Sequence, residues 1–240
     1  MSPVNYINRL DGSGHGYSIY PPARQIVCVN NNQNSIWWPE NGEGIKDQWC
    51  KNAYLHVYNK YHQSSPANTQ FVQINEYSVL IPNYSQGLPA LKAAVPNAIC
   101  SAHAINDASQ FGDKSGMSIP NTWKPTVIKA LTGSNSVNIT YTFCATAAHT
   151  PSYWEFYVTV PTFNGKTTEV GWDNLVFVSR VQNLMPIDGT YPGCGGSKLF
   201  KTTLTLPNRY ANAGTLVARW QRIDPVGECF INCSDYVMSN

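Results

Sequence analysis

The feature that most constrains the fold of this sequence is a series of β-rich segments in its second half. Each segment is rich in β-branched or aromatic residues, and turn residues separate it from the next. The segments are TVIKAL (126–131), SVNITYTFCATA (136–147), YWEFYVTV (153–160), NLVFVSRV (174–181), LFKTTLTL (199–206) and GTLVARWQRI (214–223). With a further strand near residues 17–20, they predict a mainly β fold, an immunoglobulin- or fibronectin-III-like antiparallel β-sandwich.

The region before residue 120 has a different pattern. In KDQWCKNAYLHVYNKY (46–61), apolar residues recur every fourth position, which predicts a short helix. A polar loop, HQSSPANTQ (62–70), is expected to follow this helix, and LPALKAAV (88–95) predicts a further helical turn. We therefore expect residues 29–120 to form a long helix-and-loop insertion between the first strands.

No linker or internal repeat interrupts residues 15–240, which we expect to form a single domain. The preceding segment, MSPVNYINRLDGSG (1–14), has no apolar core of the kind found in a signal peptide. We interpret it as a leader, a tag or an extension of the domain. The sequence contains no apolar stretch of the length that spans a membrane.

The seven cysteines indicate disulfides formed in an oxidising compartment. They are Cys28, Cys50, Cys100, Cys144, Cys194, Cys229 and Cys233, and none forms a zinc-type Cys-x-x-Cys pair. The first pairing to expect is Cys28 with Cys50, since these two bracket one short segment. Because the number is odd, at least one thiol is free or pairs between chains, so a monomer and a disulfide-linked or crystalline assembly both remain open.

The charge and composition restrict the class of partner. The formal net charge is only +2, so no strong field points to nucleic acid or anionic lipid. Charged residues make up 12% of the chain, against about 25% in an average soluble domain. A surface of neutral polar and aromatic groups suits sugar polymers, although it is also common in secreted β proteins.

Two of the five histidines occupy positions typical of metal ligands. His15 lies between two glycines at the start of the first strand, where Gly16 allows the backbone to approach a metal closely. His149 follows one predicted strand and precedes another, so a rigid scaffold holds it at the surface; a plain surface-turn histidine is the alternative. If the chain began at His15, its α-amino group would add a third nitrogen, and copper prefers such ligands.

Four separate motifs resemble one known family. HGYSIYPPARQ, WWPENGEGI, TAAHTPSYWEFYVT and ARWQRIDPVGECFINCSD are similar to segments of the chitin-active lytic polysaccharide monooxygenases, in particular the fusolin or spindolin type with its chitin-binding domain. The resemblance extends from His15 to about Tyr236, nearly the whole chain, and the motifs occur in the same order.

The resemblance implies a role for each of several residues. His15 and His149 match the two histidines that bind copper, and Ala147 matches the small residue that limits access to the axial position. Phe230 resembles the axial aromatic residue, although a core position is the alternative. Glu43 resembles a carboxylate near the oxygen site, although it also fits a solvated loop.

Trp37 or Trp38 corresponds to the surface aromatic residue that contacts chitin. Neighbouring side chains of a strand point to opposite faces, so at least one of the two rings is expected to be exposed. An exposed indole ring packs well against the face of a sugar.

The implied activity is copper-dependent oxidative cleavage of crystalline chitin by hydroxylation at C1. It requires one copper ion, an external electron donor and O2 or H2O2. It also requires processing after Gly14, because the nitrogen of His15 is otherwise an amide. The alternative is a non-catalytic chitin-binding, virulence-enhancing protein of the spindle type. Either protein is expected to be secreted or held in a viral spindle inclusion, with chitin or a related polysaccharide as its partner.

Overall fold

Ten strands and four α-helices form the described part of the chain, which is residues 15–32, 40–209 and 212–240 of a computed structural model. The strands are β1 (His15–Tyr20), β2 (Ser78–Leu80), β3 (Thr126–Lys129), β4 (Ser136–Ala147), β5 (Ser152–Thr159), β6 (Leu175–Gln182), β7 (Ile187–Asp188), β8 (Lys198–Pro207), β9 (Gly214–Arg222) and β10 (Glu228–Ser239). The helices are α1 (Arg24–Asn32), α2 (Gln48–Tyr61), α3 (Ser64–Val72) and α4 (Leu88–Ala94).

The strands form two sheets. One sheet has the order β1-β4-β8-β7, and the other has the order β2-β10-β9-β5-β6, with β3 paired to the last residues of β10. Every pair of strands is antiparallel except β3 with β10. The predicted mainly β, antiparallel sandwich is therefore confirmed, and this parallel pair is its one exception among the described strands.

Aromatic side chains from both sheets fill the space between them. Phe143 of β4 contacts Trp154 of β5 and Trp220 of β9, and the two indole rings stack with their centroids 5.7 Å apart. Phe230 of β10 stacks on Trp220 in turn, at 5.0 Å. Aromatic residues bury about 150–250 Å² each, so this cluster dominates the apolar burial that holds the sheets together.

Helices α1, α2 and α3 contribute to a second apolar cluster beside the sandwich, whereas α4 packs against the larger sheet. Helix α2 confirms the predicted periodicity, with Ala53 and Val57 buried on one face. The polar loop predicted over residues 62–70 is wrong, because α3 begins at Ser64. Its buried Ala67 and Phe71 belong to the same apolar cluster as α2. A mostly polar helix of this length depends on such tertiary contacts, so its sequence carries little signal.

The region between the first strands also differs from its predicted limits. Helix α1 begins at Arg24, so helical structure starts before residue 29. The region also supplies a strand, since β2 pairs with the first residues of β10 at the edge of the larger sheet. No helix in the described ranges is long and apolar enough to cross a membrane.

Of the three disulfides, one lies within the helical region and two connect loops to strands of the sandwich. The predicted bond between Cys28 and Cys50 is confirmed and joins α1 to α2. The other two bonds join Cys100 to Cys233 and Cys144 to Cys194. Cys229, in β10, is the remaining cysteine; its thiol is free and fully buried.

Candidate metal centre

Strand pairing brings His15 to the same end of the sandwich as the turn that carries His149. Strand β1 begins at His15 and β4 ends at Ala147, and these two residues are paired in the antiparallel ladder. His149 follows Ala147 by two residues and leads into β5. Residues that are 134 positions apart in the sequence are thus held by adjacent parts of one sheet.

His15 lies between a carboxylate and an aromatic ring. Its Nε2 is 2.9 Å from Oε1 of Glu76, and its ring meets the ring of Phe230 edge to face, with the centroids 6.5 Å apart. An ionised carboxylate only accepts hydrogen bonds, so among the two neutral tautomers this contact favours the one with its proton on Nε2. The lone pair then lies on Nδ1, and this nitrogen is available to a metal. The side chain of His15 is 24% exposed and can be reached from solvent.

Gly16 is explained by the close approach of β1 to β4. A Cβ atom at this position would lie 2.3 Å from the carbonyl oxygen of Cys144 and 2.3 Å from the ring of Phe143. The Gly16 amide also donates to the carbonyl of Asn75, at 3.0 Å, which fixes β1 against the loop that carries Glu76. The glycine therefore has a steric function in the sandwich, whether or not a metal is bound.

We expect Gly16→Ala to lower the free energy of unfolding by about 1–3 kcal/mol, because β1 or Phe143 must move to accept the methyl group. Chemical denaturation of the full chain measures this change. Gly195→Ala is the matched control, since a Cβ there meets only the Tyr17 hydroxyl at 3.9 Å. An equal stability of the two variants would contradict the steric argument.

His149 is partly buried in the turn between β4 and β5. Its Nε2 lies 3.3 Å from Oδ2 of Asp224. Its Nδ1 is buried and has no hydrogen-bond partner of normal geometry. The nearby Pro151 carbonyl nevertheless acts to raise the pKa of the ring. Burial lowers the pKa of His149, and the nearby Arg222 guanidinium lowers it further, while Asp224 and Pro151 oppose them. The imidazole is therefore neutral near neutral pH, which is the form that binds metals.

Further charged side chains connect the surroundings of the two histidines. We call Glu76, Lys114, Arg222, Asp224 and Glu228 the charged network. The guanidinium of Arg222 donates to Asp224 and to Glu228, at 2.8 Å in each case. Burial lowers the pKa of Lys114 to about 7, although the carboxylates of Glu76 and Glu228 act in the opposite direction.

No member of the charged network was predicted from the sequence. Asp224 and Glu228 lie within the motif ARWQRIDPVGECFINCSD, so that motif could have drawn attention to them. Glu76 and Lys114 occur in no motif, and their partners are distant in the sequence. Only the folded chain brings them together.

The other predicted site residues fall into three groups. Ala147 and Phe230 both lie at His15, the first as its strand partner and the second as a buried ring that also belongs to the core. Glu43 is exposed in the turn before α2, and no described contact joins it to His15 or His149. Trp37 and Trp38 lie outside the described residues. The roles of all the predicted site residues stay predictions.

The donor set fits a metal ion only if the main chain contributes to it. Among the described residues, no three His, Cys, Asp or Glu side chains are grouped to hold a metal ion. On His15 the nitrogen left for a ligand is Nδ1. On His149 the Nδ1 is buried, so a metal would bind Nε2 in place of the Asp224 carboxylate, which lies 3.3 Å from it. The amine of an N-terminal His15 would be the third nitrogen, and nitrogen ligands of this kind suit copper.

A match to a known family agrees with the fold and with the positions of the two histidines. This match begins at His15. The model of the family described as lytic polysaccharide mono-oxygenase, cellulose-degrading, matches residues 15–236. The chain therefore belongs to the lytic polysaccharide mono-oxygenase family, as its motifs indicated.

Particular relatives come from insect viruses. Spindolin of Heliothis armigera entomopoxvirus is 42% identical over 236 residues, which cover 93% of this chain and 66% of that protein. The chain thus spans slightly less than two thirds of the length of this relative. The resemblance to the fusolin and spindolin branch is confirmed.

Solved structures agree with this assignment. An entomopoxvirus fusolin, described as enhancing virulence and crystallising into viral spindles, is 39% identical with a TM-score of 0.87; the match covers 94% of this chain and 76% of fusolin. A further structure of fusolin is a complex with zinc. A family member from Kitasatospora papulosa is 18% identical with a TM-score of 0.66 over 94% of this chain and 99% of its own, which is a likeness of fold.

Proposed function

We propose that this chain, once it begins at His15, binds one copper ion at the candidate metal centre and cleaves chitin oxidatively at C1. The observation that carries the proposal is the pairing of His15, the first residue of β1, with the end of β4 beside His149. The family match begins at the same residue, which supports processing after Gly14. The zinc complex of fusolin supports a metal site in this branch of the family.

Bound copper would supply the one-electron chemistry that oxidation of a sugar C–H bond requires, with an external electron donor and O2 or H2O2. The side chains contribute in other ways. Glu76 holds the proton of the His15 ring on Nε2 and so directs Nδ1 to the metal. Burial keeps His149 neutral and able to donate its lone pair. Phe230 places an apolar ring against His15 and excludes water from that side.

Chitin is proposed as the substrate because the motifs resemble the chitin-active branch. The family description names cellulose, so the two polysaccharides are compared directly in the experiment below. Trp37 or Trp38 would contact the polymer and Glu43 would lie near the oxygen site, as the resemblance implies. Three disulfides support an oxidising location, either outside the cell or in a viral spindle.

The second candidate function is polysaccharide binding without oxidation. Two observations favour it. The nitrogen of His15 is an amide in the sequence as it stands, and the similar fusolin is described by its effect on virulence and its crystallisation. A protein of this kind would adhere to chitin or pack into a spindle with no need for a third metal ligand.

The experiment incubates the chain that begins at His15 with β-chitin, or with cellulose, in the presence of copper and ascorbate. We expect C1-oxidised oligosaccharides from chitin, identified by mass spectrometry, and none when copper is chelated. The full 240-residue chain is the matched control and is expected to give no oxidised products, because it lacks the free amine. Retention on chitin without oxidised products from either chain would contradict the oxidative proposal and support the second candidate.

A further inference from the structure

The contact between His15 and Glu76 depends on how the loop that carries Glu76 is held. This loop joins α3 to β2. The amide of Gly16 donates to the carbonyl of Asn75, and the hydroxyl of Tyr77 donates to the carbonyl of Gln70, at 2.6 Å. These two contacts anchor the loop on either side of Glu76.

The third anchor of the loop is Lys114. Its side chain is fully buried, and its Nζ donates to the backbone carbonyl of Glu76 and lies 5.0 Å from the centre of the Tyr77 ring. Its own backbone is fixed, because its amide donates to the carbonyl of Ala104 at 2.7 Å. Lys114 thus connects the core to the residue that contacts the His15 ring.

A buried lysine is costly to maintain, because burial disfavours the charged form. Lys114 is held by a backbone carbonyl and by the field of two carboxylates, Glu76 and Glu228. The hydrogen bond to the carbonyl forms in either protonation state of the amine. A methionine of similar length would leave this carbonyl without its donor. The neighbouring residues would stay anchored, but the Glu76 peptide would lose the contact that fixes its orientation.

We propose that Lys114 is a positioning residue for His15: it fixes the backbone at Glu76 so that the Glu76 carboxylate keeps the His15 proton on Nε2. Nδ1 is then the only ring nitrogen with a lone pair. The part of this inference that concerns metal affinity rests on the proposed function. The part that concerns the ring itself does not, because it holds for the metal-free chain.

The test replaces Lys114 by methionine and measures the His15 tautomer in the metal-free, full-length protein. Long-range ¹H–¹⁵N spectra of ¹⁵N-histidine-labelled protein distinguish the two tautomers. We expect the Nε2-protonated form in the unmodified protein and a mixture of forms in the Lys114→Met variant. Lys114→Arg, which keeps a donor, is expected to restore part of the preference.

Lys60→Met is the matched control. Lys60 donates to Asp113 and Ser115, on either side of Lys114, so this variant loosens the same segment without removing the contact with Glu76. We expect it to leave the His15 tautomer unchanged. An unchanged tautomer in the folded Lys114→Met variant, or an equal change in both variants, would overturn the proposal. Should Lys114→Met fail to fold, Lys114→Leu, which also lacks a donor, carries the same measurement with the same outcomes.

Copper affinity gives a second measurement, made on the chain that begins at His15. We expect Lys114→Met to weaken Cu²⁺ binding by about tenfold, the lower end of the effect of losing an outer partner of a metal ligand. Unchanged affinity would overturn the metal part of the inference. If the unmodified chain binds no copper, the proposed function fails, and the tautomer measurement still decides the role of Lys114.

Discussion

Replacing His149 by alanine is expected to abolish the formation of oxidised products and to weaken Cu²⁺ binding by the chain that begins at His15. Loss of an outer hydrogen-bond partner of a metal ligand costs roughly 10–100-fold in affinity, and loss of the ligand itself is expected to exceed this range. The remaining imidazole and amine of His15 would bind copper, but not in the same geometry. Isothermal titration and the electron paramagnetic resonance spectrum of the Cu²⁺ complex measure the two changes.

The matched control for this experiment is His62→Asn. His62 caps the end of α2 in a left-handed conformation, with φ of 52°, and asparagine tolerates this conformation well. The variant therefore removes an exposed imidazole without disturbing the fold, and its copper affinity is expected to be unchanged. A His149→Ala variant that binds copper as tightly as this control would show that His149 is not a ligand.

The largest expected effect on stability comes from Arg24→Met. Arg24 forms a bidentate, buried ion pair with Asp235, with contacts of 2.8 and 2.9 Å, and donates to the carbonyl of Met117. The pair joins α1 to β10 across 211 residues of sequence. Removing one partner of a buried pair leaves the other charge uncompensated, which costs about 3–5 kcal/mol. Urea denaturation of the full chain measures the free energy of unfolding.

Arg180→Met provides the comparison for this prediction. Arg180 pairs with Glu155 at 3.3 Å, but its side chain is 41% exposed, so water screens the pair. Ion pairs of this kind contribute at most about 1 kcal/mol. Equal losses of stability in the two variants would show that burial does not set the strength of the pair formed by Arg24.

The sequence predicts strands that are rich in β-branched and aromatic residues, and this holds for the fully buried β9 as well as for β4, whose predicted limits agree with the structure. Strand β10 was missed because polar residues interrupt its apolar ones. Asn232, Ser234 and Asp235 are buried, and their partners are Ser18, Pro21 and Arg24. These partners are more than 200 positions away in the sequence, so no local pattern could show that such polar residues belong to a buried strand.

The site was predictable only where residue type and local motif coincide. His15 lies between two glycines and His149 lies between two predicted strands, so both positions could be recognised in the sequence. The family resemblance then implied that both bind the metal. The charged network has no such setting. Lys114, for example, lies 38 residues from the Glu76 carbonyl that it contacts, and the segment between them, which includes β2 and α4, contains no related motif. Its position follows from the packing of the loops against β1, which no local pattern encodes.

Because Cys229 is free and fully buried, the reactivity of its thiol reports the local opening of β10. Six cysteines are paired and the seventh has no exposed surface, so the folded chain offers no sulfhydryl to a reagent in solution. A maleimide dye would label the protein only as β10 separates from its neighbours. The rate of labelling would then record the opening of the strand that also carries Phe230 and Glu228. For the same reason, copies of this chain cannot be cross-linked through Cys229 while β10 stays closed.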